Sequence, residues 1–208
     1  MVLVFDFDGT IVDSKKMNLF VFEKSFKKYG FSFNCSQIEP HFGPSAKKVI
    51  EELIGKKNQK INKKIEKEVD FLKKTVGLKM MRLRAEPAFF QKLKKHHCLI
   101  LRTNADRAST IKYLEIHKIL NLWRKIITPE DKLGQSKIKT LQYLKDRFKG
   151  PIVYIGDMKS DIKSARMVRV VSVAIAGWEK EKSLRKAKPD FLIDRLNKLP
   201  KILKIIEG

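Results

Sequence analysis

The chain has 208 residues, 43% of them hydrophobic, so it can bury one substantial core plus a smaller one; one or two compact domains are expected and a disordered chain is excluded. Its 46 basic residues against 23 acidic ones give a formal charge of +23 with no long single-sign block, a surface that attracts anions such as phosphorylated metabolites or nucleic acid. Cys35 and Cys98 lie far apart without C-x-x-C spacing, which predicts two reduced thiols and a cytoplasmic location. With no basic leader, and with its longest apolar stretch at Val170–Ala176 too short to span a bilayer, the chain is expected to be soluble and unprocessed.

Val2–Phe5 is a continuous apolar run that leads, after two acids, to a Gly-Thr turn, the pattern of a strand buried on both faces of a parallel sheet. From Asp13 to Arg84 the strand signal disappears. Leu19, Phe22, Phe26 and Tyr29, then Val49, Leu53 and Ile54, then Ile61, Ile65, Val69 and Leu72 recur at helical spacing, punctuated by Gly30, Pro40, Gly43-Pro44 and Gly55. This stretch also carries the densest basic excess, with 18 basic and 7 acidic residues between Lys15 and Arg84. Its aromatic set, Phe20, Phe22, Phe26, Phe31 and Phe33, reads as the core of a small helical domain rather than as a binding box. Strand-like runs then return at Cys98–Leu101, Pro151–Ile155 and Val170–Ile175, separated by helical patterns such as Ile138, Leu141, Leu144 and Phe148. Strands alternating with helices predict an α/β fold: a doubly wound, Rossmann-like parallel sheet over residues 1–13 and 85–208, with a helical cap inserted at residues 14–84.

Chemistry-bearing residues gather where the runs end. Asp6-Phe7-Asp8-Gly9-Thr10 closes the first run, and in an extended chain Asp6 and Asp8 would share a face while Phe7 points into the core. Gly156-Asp157-Met158-Lys159-Ser160-Asp161 closes a later one, its two acids four apart at a predicted helix start. Open parallel sheets bind ligands beyond the carboxyl ends of their strands, so two strand ends are expected to converge four carboxylates. Two unit charges about 4 Å apart repel by roughly 4 kcal/mol at an effective dielectric of 20, so the grouping calls for a hard divalent cation. Mg2+ suits an all-carboxylate ligand set, and with no His or Cys in either motif zinc is disfavoured.

DFDGT, the Thr103-Asn104 pair after the second core run, a later lysine and GDMKSD resemble the four motifs of the haloacid dehalogenase-like superfamily, and most closely its phosphoglycolate-phosphatase type with a helical cap after the first motif. The resemblance implies a phosphoric monoester hydrolase in which Asp6 is the nucleophile and forms an aspartyl-phosphate. Asp8 would act as general acid and then general base. Mg2+ would be held by Asp6, the backbone carbonyl of Asp8, and Asp157, with Asp161 as a supporting carboxylate. Gly9, Thr103, Asn104 and Lys137 would hold the phosphate. Lys137 opens the helix before the strand leading to Asp157, and Lys132 is its rival because the Lys-Pro of the family's third motif is absent. Arg169 and Ala88 stand where the family commonly has glycine.

Other readings carry distinct expectations. A phosphomutase of the same superfamily would use the same residues to return phosphate to a sugar. A basic nucleic-acid-binding protein lacking activity would explain the charge, although no recognised nucleic-acid motif appears. His41, His96, His97 and His117 are scattered and read as structural or surface residues; Arg82 and Arg84 lie near the expected hinge, within reach of substrate, and read first as a solvated hinge. The expected partner is a small anionic phosphomonoester, with no membrane; monomer and homodimer both stay open.

Overall fold

A computed structural model describes residues 1–42 and 45–208, so the predicted Gly43-Pro44 break lies outside the described residues. The described chain divides into two compact units, one of residues 1–13 and 83–208 and one of residues 14–82.

The chain opens with β1 (Val2–Phe5) and a short β2 (Val12–Asp13). The unit of residues 14–82 is helical, with α1 (Lys15–Lys28), α2 (Cys35–Ile38), α3 (Ala46–Ile54), α4 (Gln59–Leu72) and α5 (Leu78–Met80). Its interior is built from one face of each long helix: Met17, Val21, Phe22 and Phe26 of α1, Val49 and Ile50 of α3, and Ile65 and Val69 of α4 are all buried. Phe22, Phe26, Phe33 and Phe42 form a connected aromatic cluster, with Phe26 meeting Phe33 edge to face at 5.0 Å and Phe22 lying 5.6 Å from Phe42. Phe22, Phe26 and Phe42 are core, while Phe20, Phe31 and Phe33 are only half-buried.

The larger unit continues with β3 (Arg82–Leu83), α6 (Pro87–His96), β4 (Cys98–Arg102), α7 (Arg107–Ile116) and β5 (Lys125–Ile127). Then come α8 (Lys137–Arg147), β6 (Ile152–Gly156), α9 (Lys159–Val168), β7 (Val171–Ile175), α10 (Glu181–Lys186), β8 (Phe191–Ile193) and α11 (Leu199–Glu207). Six strands form one parallel sheet in the order β5-β4-β1-β6-β7-β8. The chain therefore builds outward from β1 in one direction, through β4 and β5, and then returns to β6 on the other side of β1. That reversal opens a crevice at the carboxyl ends of β1 and β6.

Both faces of the sheet are covered, which is why its central strands are almost uninterrupted apolar runs. On one face Val4, Ile100 and Tyr154 pack with Leu141 and Leu144 of α8 and Ala165 and Val168 of α9. On the other, Phe5 meets Phe90 of α6 at 6.2 Å and Trp123 at 5.7 Å, and Phe7 meets Tyr113 of α7 at 5.6 Å, all edge to face. Such pairs add about 0.5–1.5 kcal/mol each beyond area burial.

The strands β5 and β8 were not foreseen. Each has three residues, too few to show a period; Lys125-Ile126-Ile127 lies between Arg124 and Thr128-Pro129, and Phe191-Leu192-Ile193 between Asp190 and Asp194. Ala88, inside the first turn of α6, needs no glycine because the helix has already begun at Pro87. Arg169 ends α9 in the left-handed conformation, at φ 56° and ψ 51°, a position that favours glycine. Cys35 and Cys98 are both free thiols, and among the described residues no helix is long and apolar enough to cross a membrane.

Candidate active site

β1 ends at Phe5, and the residue that follows, Asp6, is buried at 7% exposure with its amide still bonded to Ile155 O, one step further along β6. There the chain leaves the sheet. The amides of Thr10, Ile11 and Val12 all turn back to Phe7 O, and Gly9 adopts φ +74°. A side chain at Gly9 would collide with the Asp157 carboxylate, so this position is glycine for close approach as much as for its dihedral. Asp8 follows in this turn, half-buried, and its charge acts on Asp6.

Asp6, Asp157 and Asp161 form a buried group, with one carboxylate oxygen of each lying within 4.8 Å of the others. Asp157 stands on the loop between β6 and α9. Its Oδ1 accepts from Thr10 Oγ1 at 3.3 Å and its Oδ2 from the Trp178 amide at 2.9 Å, tying the first-motif turn to the loop after β7. Asp161, in the first turn of α9, uses Oδ2 to accept from the Met158 amide at 2.9 Å, which fixes the helix start as a side-chain cap does. Gly156 makes room for it, since a Cβ there would meet the Asp161 carboxylate.

Lys137 is the first residue of α8, whose start is set by Ser136 accepting from the Lys139 amide. Its side chain, 12% exposed, bonds Asp161 Oδ1 and lies 3.7 Å from Asp6 Oδ1. Burial lowers the tendency of its ammonium to stay charged, but the Asp161 and Asp6 carboxylates outweigh that, and the group is held above its ordinary value. Lys132, its rival, is exposed. Thr103, which follows β4, is buried; its Oγ1 accepts from the Ala105 amide at 2.9 Å and its own amide donates to Ile127 O. Asn104 comes next and is half-buried.

Two residues, Arg102 and Tyr113, carried no role in the sequence reading, and a third, Arg84, is placed differently. Arg102, the last residue of β4, is 2% exposed and stands beside Asp6, one register step beyond the pair Phe5 and Leu101. An arginine closing the apolar run Cys98–Leu101 was the available signal. Arg84 was expected in a solvated hinge, yet it is half-buried, donating from Nη1 to Gly9 O and from Nη2 to Ala176 O at 2.5 Å. Tyr113 packs on Phe7, and its hydroxyl is held well above the ordinary value by burial and by the nearby Asp8 charge.

The electrostatics of the cluster ask for positive charge. Asp6 is pushed up to about 7: burial contributes most, Lys137 opposes it, Asp161 adds to it, Arg102 opposes and Asp8 adds. Asp157 is raised well above the usual carboxylate range by burial, then by Asp6 and Asp161, against the Trp178 amide and Lys137. Three carboxylates buried within 4.8 Å of one another form an all-oxygen donor set suited to a hard divalent cation, so the residues present fit such an ion.

Residues 3–175 match the haloacid dehalogenase-like hydrolase family. The chain belongs to that family. A curated relative from Caldanaerobacter subterraneus subsp. tengcongensis, named "Putative pyrophosphatase PpaX", is 24% identical over 212 residues, spanning 97% of this chain and 94% of its own length. Among solved structures, a haloacid dehalogenase-like family hydrolase from Streptococcus pneumoniae superposes with a TM-score of 0.83 at 21% identity, covering 97% of each chain. A protein of Haemophilus somnus whose structure is described as a predicted phosphoglycolate phosphatase gives 0.82 at 19% identity, again over 97% of each chain. The structural likenesses establish that this hydrolase shares their α/β fold.

Proposed function

We propose that this hydrolase is a Mg2+-dependent phosphatase acting on a small phosphorylated metabolite, phosphoglycolate-like in size and charge, through an aspartyl-phosphate on Asp6. The observation that carries the reading is the buried group of Asp6, Asp157 and Asp161 with Lys137 against it, at the switch point of the sheet. The names of the relatives, phosphatases of small phosphate compounds, point the same way.

Asp6 attacks phosphorus with a carboxylate oxygen. Lys137 and the bond from the Asp6 amide to Ile155 O hold Asp6 in place, so little reorganisation is needed as charge moves. Asp8, two residues after the nucleophile, does the proton work: it gives a proton to the leaving oxygen and later takes one from the water that cleaves the acyl-phosphate. Thr103 and the amide of Asn104 donate to the transferring phosphoryl oxygens. Asp6, the Asp8 carbonyl and Asp157 would hold Mg2+, with Asp161 in support; when bound, the ion neutralises charge on the phosphoryl oxygens. The helical unit of residues 14–82 serves as the cap that selects substrate, and its basic surface aids capture of anions.

The test is a phosphate-release screen over small monophosphates and pyrophosphate in Mg2+, with chelator controls and added sugar-phosphate acceptors. Release that chelation silences and Mg2+ restores is expected. Phosphate appearing on an added sugar phosphate instead of in solution would move the assignment to a mutase, and faster removal of a terminal phosphate from a long oligonucleotide would overturn the small-metabolite reading.

A further inference from the structure

Arg102 is the charged residue of the buried cluster for which the proposed chemistry has given no task. Its Nη2 donates to Gly134 O at 2.8 Å, but Nε and Nη1 are buried and have no hydrogen-bond partner among the described residues. A guanidinium offers five N–H donors, and leaving several of them desolvated and unbonded is costly. An apolar side chain at this position would instead have extended the packing of Ile100 and Val4. Position supplies the compensation. Arg102 stands next to Asp6 on the neighbouring strand and on the same face of the sheet, and it acts electrostatically on both Asp6 and Lys137. Gly134 belongs to the loop that delivers Lys137 to the first turn of α8.

We infer that Arg102 is a positioning and charge-balancing residue of the phosphoryl site: it anchors the loop carrying Lys137 through Gly134 and supplies, beside Asp6, the positive charge that lets the site take up a phosphate dianion. It acts through Asp6 and Lys137, and the inference rests on the phosphatase reading. Three carboxylates, one ammonium and a divalent cation leave the group neutral before any phosphate arrives. Arg102 makes it positive. The charge therefore works in opposite senses on the two ligands, opposing the cation and favouring the anion.

The experiment measures Mg2+ affinity without substrate, and inorganic phosphate affinity at saturating Mg2+, by calorimetry on the full chain. Arg102→Met should tighten Mg2+ and weaken phosphate by at least about tenfold each, a lower bound for removing one unit charge a few ångströms away at an effective dielectric near 20. Arg102→Lys, which keeps the charge but not the fork, should return both affinities towards wild type while kcat stays low because Gly134 is no longer held. Should Arg102→Met not fold, Arg102→Gln carries the same expectation. Affinities that stay unchanged, or that weaken together, would overturn the assignment and leave Arg102 a structural residue. Wild-type protein that binds neither Mg2+ nor phosphate would overturn the phosphatase reading itself, and this inference with it.

Discussion

The carboxyl edge of the sheet and the helical unit of residues 14–82 use their residues in opposite ways. In the helical unit local preference and packing largely agree: the apolar side chains at helical spacing are buried or half-buried, and most charged ones face solvent. At the sheet edge the local rules are broken repeatedly within a few residues. Three acids, a lysine and an arginine are buried, and Gly9 holds a positive φ. A fold tolerates such conflict where something is gained from it, so the two regions should respond differently to substitution.

The largest effect is expected at the edge. Asp6→Asn should lower kcat by roughly 10⁴-fold, because an amide of nearly the same volume cannot act as the nucleophile, while the thermal unfolding profile shows that the fold is kept. Retained turnover in that variant would remove Asp6 from the chemistry.

The helical unit should show the reverse. Phe26, fully buried and ringed by Phe22 and Phe33, contributes packing and nothing to the reaction. Phe26→Ala should destabilise that unit by about 3–5 kcal/mol, as measured by denaturant unfolding. A loss below 1 kcal/mol would mean the aromatic cluster is not its core.

A third contrast lies in pH. Asp6 is raised from 3.8 to about 7 in the folded chain, so the native state holds its proton more tightly than the unfolded state does. Without metal, stability should then fall as pH rises from about 4 to about 7 and level off above, with Asp157 acting in the same direction. In chelator, Asp6→Asn should melt several degrees higher than wild type at pH 8, and the advantage should vanish near pH 4. A difference independent of pH would contradict the proposed origin of the shift.

The smallest effect concerns the left-handed end of α9. Arg169 at φ 56° bears a steric cost that glycine avoids, so Arg169→Gly should stabilise the protein by about 1 kcal/mol in thermal unfolding. Destabilisation would show that the arginine side chain offsets its own strain.

The same contrast explains what could be read from sequence. β1, β4, β6 and β7 are buried on both faces and advertise themselves as apolar runs, and DFDGT and GDMKSD mark the strand ends because buried acids after such runs have little structural use. β5 and β8 are edge strands of three residues and show no period. Past Phe7 the chain enters a turn set by Gly9, which strand alternation does not describe. Arg102 carried no reading and the burial of Arg84 was not expected, because their partners are the backbone carbonyls of Gly134, Gly9 and Ala176, distant in sequence and carrying no side-chain signature. The helical unit was legible as helices, yet amphipathic spacing says nothing of substrate.

The central claim is that Asp6 carries the phosphoryl group. Its most direct test is to quench the protein in acid during turnover of a small phosphomonoester in Mg2+, and then map the adduct by mass spectrometry. A phosphoryl group on the peptide containing Asp6, absent when the chase runs to completion and absent in Asp6→Asn, is the predicted result. Sustained turnover with no adduct at Asp6 at any quench time would contradict it.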